Sequence, residues 1–128
     1  MGEDRVIAQT GQWLSEQPEA HQAGWAVNDL RYYIYAGKQF DYLEEKNGGA
    51  NIRRMFLQKD YGELENQVRK TGKGIIIIRA SKKASETDPA FKHFRRIKQF
   101  ESHRSTVSVY ADPLVLPSLT ERSEGAFD

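Results

Sequence analysis

The sequence predicts an α/β (or α+β) domain in which helices flank a mixed β-sheet. Four successive isoleucines, Ile75 to Ile78, place β-branched side chains on both faces of any strand that they form. Only a strand covered on both faces buries all four, so we expect residues 74–79 at the centre of a sheet of about three to five strands. The length of 128 residues suits one hydrophobic core, which predicts a single domain.

Two helical patterns precede the first ambiguous stretch of the chain. Apolar residues recur at helical spacing from Val6 to Leu14, which predicts a helix over residues 3–16 that ends before Pro18. A second pattern, less regular than the first, predicts a helix over residues 19–30.

Residues 31–57 have two interpretations. Aromatic and β-branched residues at positions 32–35, together with the Asn47-Gly48 turn signal, favour β-strands joined by tight turns. The alternative is a pair of helices that break at Asn47-Gly48. The aromatic density fits the strands better than the helices.

A capping pattern and an apolar stripe predict the next helix. Asp60 is followed by Glu63 at the third helical position, and apolar residues continue at helical spacing to about Lys70. Gly72 is a typical C-terminal stop for this helix.

A further helix is predicted over residues 88–103. Asp88-Pro89 has the composition of a helix cap and a first helical residue, and apolar residues recur at helical spacing after it. Residues 105–110 alternate between polar and apolar side chains, which predicts a last strand. Strand, helix and strand of this length predict a right-handed crossover that makes strands 74–79 and 105–110 parallel.

The last residues differ from the rest in composition. Residues 112–128 are acidic and contain two of the four prolines, Pro113 and Pro117. We therefore divide the chain into a globular domain of residues 1–111 and an acidic tail of residues 112–128. The tail is expected either to pack onto the domain or to be disordered around a short apolar docking motif.

Composition excludes several classes of protein. The chain has no cysteine, which rules out disulfides, thiolate zinc sites and cysteine nucleophiles. Its apolar runs are far shorter than the roughly 20 residues of a membrane-spanning helix, and its first residues lack the apolar stretch of a signal peptide. The three histidines have no ligand-like spacing. We expect a cytoplasmic protein without membrane association, metal or cofactor.

The net charge of +1 conceals a strong asymmetry along the chain. Residues 1–65 contain 7 lysines and arginines against 11 acids, residues 66–104 contain 11 against 3, and residues 105–128 contain 1 against 4. The excess of positive charge in the middle segment indicates an anionic partner. The alternative is that these cations form a solvated surface that has no partner.

The cations of the middle segment lead to a nucleic-acid-binding hypothesis. On the predicted helix 88–103 they lie opposite the apolar stripe, and the loop after the isoleucine strand adds two lysines where α/β sheets bind ligands. Long cations with polar donors beside them suit the phosphate backbone of DNA or RNA. The candidate nucleic-acid-binding residues are Arg79, Lys82, Lys83, Lys92, Arg95, Arg96, Gln99 and His103. We expect a regulatory role without catalysis.

One alternative is a protein-interaction or inhibitor module. Such a module would present the same basic face to an acidic protein, or would present the apolar part of the tail to another macromolecule.

The other alternative is a Mg²⁺-dependent nuclease. Glu44-Glu45-Lys46 has the form Glu-x-Lys, and either Asp29 or Asp41 could serve as the upstream acid. The candidate catalytic set is Asp41, Glu44 and Lys46. If residues 31–57 form strands, the order of helix, three strands, helix and strand resembles the core of the PD-(D/E)xK nuclease superfamily. That resemblance implies two acids and a lysine that hold Mg²⁺ and activate water.

Overall fold

The isoleucine segment forms an interior strand in a computed structural model that describes residues 2–40, 50–82 and 89–121. The strands are β1 (Trp25–Val27), β2 (Ile75–Ser81), β3 (Arg95–Glu101) and β4 (Ser105–Ala111). They form one mixed four-stranded sheet in the order β1-β2-β4-β3. Ile75 to Ile78 are all buried in β2. The predicted single α+β domain with residues 74–79 as its central strand is confirmed.

Helices cover both faces of this sheet. They are α1 (Gly2–Ser15), α2 (Pro18–Gln22), α3 (Arg31–Ala36), α4 (Ala50–Gln58) and α5 (Tyr61–Lys70), and residues 117–121 are also helical. No helix in the described ranges is long and apolar enough to cross a membrane.

The front face of the sheet, defined here as the side of Ile75 and Ile77, packs against α1, α2 and α3. Alternate residues of β1 and β4 point to the same side, because side chains alternate along a strand. The buried residues of this core include Val6, Ile7, Leu14, Ala20, Trp25, Val27, Tyr32, Ala36, Ile75, Ile77, Ile97, Val107, Val109 and Ala111.

The rear face, defined as the side of Ile76 and Ile78, packs against α4 and α5. These two helices contribute side chains at helical spacing, and the loop before β3 adds an aromatic ring. The buried residues of this second core are Ala26, Ile52, Phe56, Leu64, Val68, Ile76, Ile78, Phe94 and Tyr110. β2 therefore lies between two separate cores.

Two of the predicted helices are confirmed. α1 covers the apolar pattern at the N-terminus. α5 begins after Asp60, whose side-chain Oδ1 accepts the backbone N–H of Glu63 at 3.3 Å. Gly72 follows the end of α5 with a φ of 74°, a left-handed conformation that favours glycine.

The prediction of strands in residues 31–57 is wrong for the part that the structure describes. Residues 31–36 form α3 and residues 50–58 form α4, which is closer to the alternative of two helices. Tertiary packing overrides the strand propensity of the aromatic run. Tyr32 and Ala36, four residues apart, are both buried, and Gly11 of α1 lies against the backbone of α3. The Asn47-Gly48 turn signal lies outside the described residues.

The helix predicted over residues 19–30 is wrong beyond α2. Trp25, Ala26 and Val27 pair with β2 as a parallel strand and are all buried. Three successive buried residues require cover on both faces, which a strand beside β2 provides.

The helix predicted over residues 88–103 is also wrong, because residues 95–101 form β3. A β-bulge explains the misleading pattern. The register of β3 against β4 shifts between Arg96 and Lys98, so Ile97 is an extra residue in the strand. The bulge interrupts the alternation of side chains, so Ile97 and Phe100 both face the front core although they are three residues apart. Together with Phe94, which lies in the rear core, they form a sequence spacing that resembles a helix.

The predicted parallel crossover is wrong for the same reason. β2 and β4 are antiparallel neighbours, from Ile75 opposite Ala111 to Ser81 opposite Ser105. The chain passes from β2 to β3 without pairing them, and β4 then returns between the two strands. The parallel pair in this sheet is β1 and β2.

The described part of the acidic tail packs onto the sheet. The backbone N–H of Asp112 donates to the carbonyl of Gly74 at 3.0 Å, which extends the β2–β4 pairing by one bond. Leu116 and Leu119 are buried in the front core. The division of the chain at residue 111 stays a prediction, and residues 122–128 lie outside the described part.

Replacing Ile76 or Ile77 by alanine should lower the free energy of unfolding by about 2–5 kcal/mol, because each change leaves a cavity in a different core. Leu57→Ala is the control, since Leu57 is 83% exposed and should change the free energy by less than about 1 kcal/mol. Denaturant unfolding measures all three. A loss below about 1 kcal/mol at both isoleucines would contradict a β2 buried on two faces.

Leu119→Ala should destabilise the fold by about 2–5 kcal/mol, because Leu119 is 2% exposed. Leu114→Ala provides a matched control in the same segment, since Leu114 is 80% exposed. Equal, small effects of the two changes in thermal unfolding would show that the segment does not contribute to the core.

Candidate nucleic-acid interface

β3 forms one edge of the sheet and carries three of the eleven lysines and arginines of residues 66–104. It is the last strand in the order β1-β2-β4-β3, and no described strand pairs with its outer side. Its seven residues span roughly 20 Å. We call the positive residues of this strand and of its flanking turns the basic edge. They are Lys92, Arg95, Arg96, Lys98 and Arg104.

The cations of the basic edge lie on both faces of the sheet. Arg95 is opposite Ala111 and belongs to the front face, whereas Arg96 is opposite Tyr110 and belongs to the rear face. Lys98 returns to the front side, and its Nζ lies 5.6 Å from the ring centre of Phe100. The single helical stripe expected from the sequence does not exist. The cations instead follow one edge from two sides.

The front side of β3 is anchored to α1 by aromatic packing. Phe100 is opposite Val107, and its ring lies edge-on to Trp13 of α1 with 6.3 Å between ring centres. Such a contact stabilises by about 0.5–1.5 kcal/mol beyond the burial of the rings. The basic edge therefore belongs to a strand that is held by the core as well as by its hydrogen bonds to β4.

The start of the basic edge is held by a buried acid. Glu65 of α5 is 4% exposed, and its carboxylate accepts three successive backbone N–H groups. Lys92 donates at 3.1 Å, His93 at 2.7 Å and Phe94 at 3.0 Å. These bonds join α5 to the residues that lead into β3.

A serine organises the other end, where β3 turns into β4. The Ser102 hydroxyl oxygen accepts the backbone N–H groups of Arg104 at 3.3 Å and Ser105 at 3.1 Å. The Ser102 N–H in turn donates to the Ser105 carbonyl at 2.9 Å. The turn thereby presents His103 and Arg104, both exposed, at the end of the edge.

Lys82 joins this end of the sheet from β2. Its backbone N–H donates to the carbonyl of Arg104 at 2.8 Å, and its Nζ lies 3.4 Å from Oε2 of Glu101. Glu101 is the one acid between Lys92 and Arg104 in the sequence. The exposed Lys82–Glu101 ion pair therefore places a cation beside the one negative charge of the edge.

Arg79 is the predicted site residue that the fold separates from the others. It lies two residues after Ile77 and therefore on the same, front side of β2. Its backbone N–H and C=O both form hydrogen bonds with the Asn28 side chain at 3.1 Å. That amide continues the pairing of β1 with β2. Gln99 lies opposite Ser108 on the rear face, beside the basic edge. Lys83 lies outside the described residues.

Lys98, Arg104 and Glu65 belong to the site but are absent from the residues predicted from sequence. A helix over residues 88–103 would place Lys98 and Arg104 away from the expected basic stripe. Glu65 has a signal of its own, because an acid that follows Leu64 and precedes Val68 by three residues lies on the buried side of α5. A buried acid of this kind requires hydrogen-bond partners from another element.

The nuclease alternative receives no support from the described residues. Asp41, Glu44 and Lys46 lie outside them, and the strands that the resemblance requires between residues 31 and 57 are helices where described. No group of three or more acids and histidines in the described ranges is arranged to hold a metal. Asp29, the other candidate for the upstream acid, forms an ion pair with Arg31.

The Asp29–Arg31 pair closes the loop after β1. Arg31 donates from Nη2 to Oδ2 of Asp29 at 2.8 Å and from Nε to Oδ1 at 3.1 Å. Partial burial alone would raise the pKa of Asp29, but hydrogen bonds from the Arg31 side chain and backbone, with the charges of Arg31 and Arg79, lower it below its usual value. The Asp29 carboxylate therefore stabilises the loop after β1.

Comparisons of the chain with protein-family models, curated proteins and solved structures found no match. Function must therefore be inferred from the chemistry of the site itself.

Asp29→Asn should destabilise the protein more at pH 7 than in acid. The folded pKa of Asp29 is lowered, so its stabilising effect is complete above the unfolded pKa near 3.8 and is lost as the pH falls through the folded value. Denaturant unfolding of both proteins at pH 7 and at about pH 2 measures the difference. A difference in stability that does not change with pH would contradict the role of the Asp29 charge.

Proposed function

We propose that this protein binds nucleic acid through its basic edge, which follows the phosphate backbone, and that it acts as a regulatory binding protein without catalysis. One observation carries the proposal: the edge from Lys92 to Arg104 contains five lysines and arginines and one acid. That acid, Glu101, lies beside Lys82. The local excess of positive charge is therefore concentrated along one side of the sheet.

The dimensions of the edge suit a polyanion. Duplex DNA carries about one negative charge per 1.7 Å of its axis, so the roughly 20 Å of β3 can face several phosphates at once. Lys92, Arg95 and Arg104 are exposed, and the planar guanidinium groups of the two arginines can donate two hydrogen bonds to one phosphate. A compact anion would contact only part of such a row.

The expected binding mode depends on the backbone of the nucleic acid and depends little on its bases. Cations that face phosphates release condensed counterions, so the affinity should fall steeply as the salt concentration rises. Both DNA and RNA present this charge. Gln99 and His103 add side chains that can form hydrogen bonds beside the cations.

The cations of β3 also protect the sheet from pairing with another chain. Lysines, arginines and a bulge on an edge strand are common means of preventing edge-to-edge aggregation. A test of nucleic-acid binding must therefore measure association of the protein with itself as well. Nucleic-acid binding and protection of the sheet edge predict different results for the same variant.

Replacing Lys92, Arg95 and Arg104 together by glutamine should weaken binding to every nucleic acid tested. For each phosphate that the variant no longer neutralises, the slope of log K against log salt should become shallower by about 0.9 on a duplex and by about 0.7 on a single strand. Electrophoretic titrations with single- and double-stranded DNA and RNA at several salt concentrations measure both the affinity and the slope.

The matched control replaces Arg5, Lys59 and Lys70, which are exposed on α1 and near the two ends of α5, by glutamine. It removes the same charge and should change the slope much less. Equal losses of affinity in both triple variants would indicate diffuse attraction without a site. If the edge variant self-associates but binds nucleic acid with unchanged affinity, the edge cations only prevent pairing of the sheet with another chain. That result would contradict the proposal.

A second candidate function is a protein-interaction module. Its support is the exposure of large apolar side chains, Ile34 on α3 at 75% and Leu114 at 80%. The same titration separates the two candidates. Absence of binding to any nucleic acid at low salt would favour the protein partner.

A further inference from the structure

Glu65 is an acid in a position where its charge would normally be unfavourable. It lies on the side of α5 that faces the rear core, with Leu64 and Val68, and it is 4% exposed. Burying an ionised carboxylate is costly unless hydrogen bonds replace those that it made to water. The N–H groups of Lys92, His93 and Phe94 supply those bonds.

The three bonds restrain the backbone more than a single bond would. Consecutive N–H groups that converge on one anion form a concave nest, a shape that extended backbone does not adopt by itself. Charge-assisted hydrogen bonds of this kind are about twice as strong as neutral ones. Phe94, the last of the three donors, is buried in the rear core next to β3.

This nest determines where the basic edge begins. Lys92 is exposed while its backbone is bonded to a buried side chain of α5, so its own side chain projects from a fixed point beside Arg95 and Arg96. A backbone that is fixed before binding reduces the entropy that the chain loses when its cations bind a polyanion. Without the Glu65 carboxylate, residues 92–94 would lack three of their bonds to the domain.

We propose that Glu65 is a positioning residue for nucleic-acid binding, and that this buried acid increases the affinity of the protein for an anion. The inference rests on the proposed function of the basic edge. It reverses the sign expected from charge alone, because removing a negative charge near an anion site normally strengthens binding. Here removal of the Glu65 carboxylate weakens binding of the nucleic acid.

The experiment compares Glu65→Ala and Glu65→Gln with Glu63→Gln. Glu63 is exposed on the same helix, so its replacement removes the same charge without affecting the nest. Affinity for a mixed-sequence DNA duplex is measured over a range of salt concentrations. Glu63→Gln should bind the duplex as well as the wild type or slightly better. Glu65→Ala should bind less well, with a salt slope shallower by about 0.9, the change expected for one phosphate.

Glu65→Gln keeps the volume of the side chain and one acceptor oxygen, so it tests the proposal even if the alanine variant does not fold. Its affinity should lie between those of the wild type and Glu65→Ala. An affinity equal to or higher than that of Glu63→Gln would overturn the proposal, because the charge alone would then explain the result.

A double-mutant cycle with Lys92→Gln shows whether Glu65 acts through Lys92. If it does, adding Glu65→Gln to Lys92→Gln should reduce affinity by less than Glu65→Gln does alone. Full additivity of the two effects would contradict positioning through Lys92. A purely structural decrease in folded protein would lower the active fraction and leave the salt slope unchanged, which would also contradict it.

Amide hydrogen exchange distinguishes failure of this inference from failure of the proposed function. In the wild type the N–H groups of residues 92–94 should exchange slowly, and in the Glu65 variants they should exchange faster. If the exchange changes as expected and the wild type binds no nucleic acid, the proposed function is wrong. If the wild type binds and the Glu65 variants match Glu63→Gln, the positioning role is wrong.

Discussion

Burial of β2 on both faces is the constraint on which the rest of the structure depends. Ile75 and Ile77 point into one core and Ile76 and Ile78 into another, so neither face of this strand can be left to solvent. Helices must therefore pack on both sides of the sheet. The strand also needs a hydrogen-bonded neighbour on each edge, and β1 and β4 provide them.

The position of the candidate site follows from that arrangement. With β1 and β4 beside β2, the strand that carries Arg95, Arg96 and Lys98 lies at the edge, where long cations reach water while Ile97 and Phe100 face the front core. If this strand lay in the interior of the sheet, the charges of Arg95, Arg96 and Lys98 would be buried. A buried acid, Glu65, then links this edge to α5 through the backbone of residues 92–94.

Sequence patterns predicted the parts of the fold that local chemistry determines. The Asp60 cap and the Gly72 stop act through neighbouring residues, the isoleucine run states its requirement for burial in four successive side chains, and each was confirmed. The sequence patterns were misleading where residues distant in sequence determine the local structure. The bulge at Ile97 imitates a helical period, and the backbone donors of Glu65 are far from it in sequence. The charge of the 92–104 segment was visible in the sequence, but its arrangement along a sheet edge was not.

The most direct measurement is a titration of the ¹⁵N-labelled protein with a short mixed-sequence DNA duplex at low salt, with amide shifts followed residue by residue. Binding at the basic edge predicts that the largest changes lie along β3 and the two turns beside it, from Lys92 to Arg104, with small changes in α1. Changes centred on α1 or on the apolar residues of α3, or no changes at any amide, would contradict binding at the basic edge.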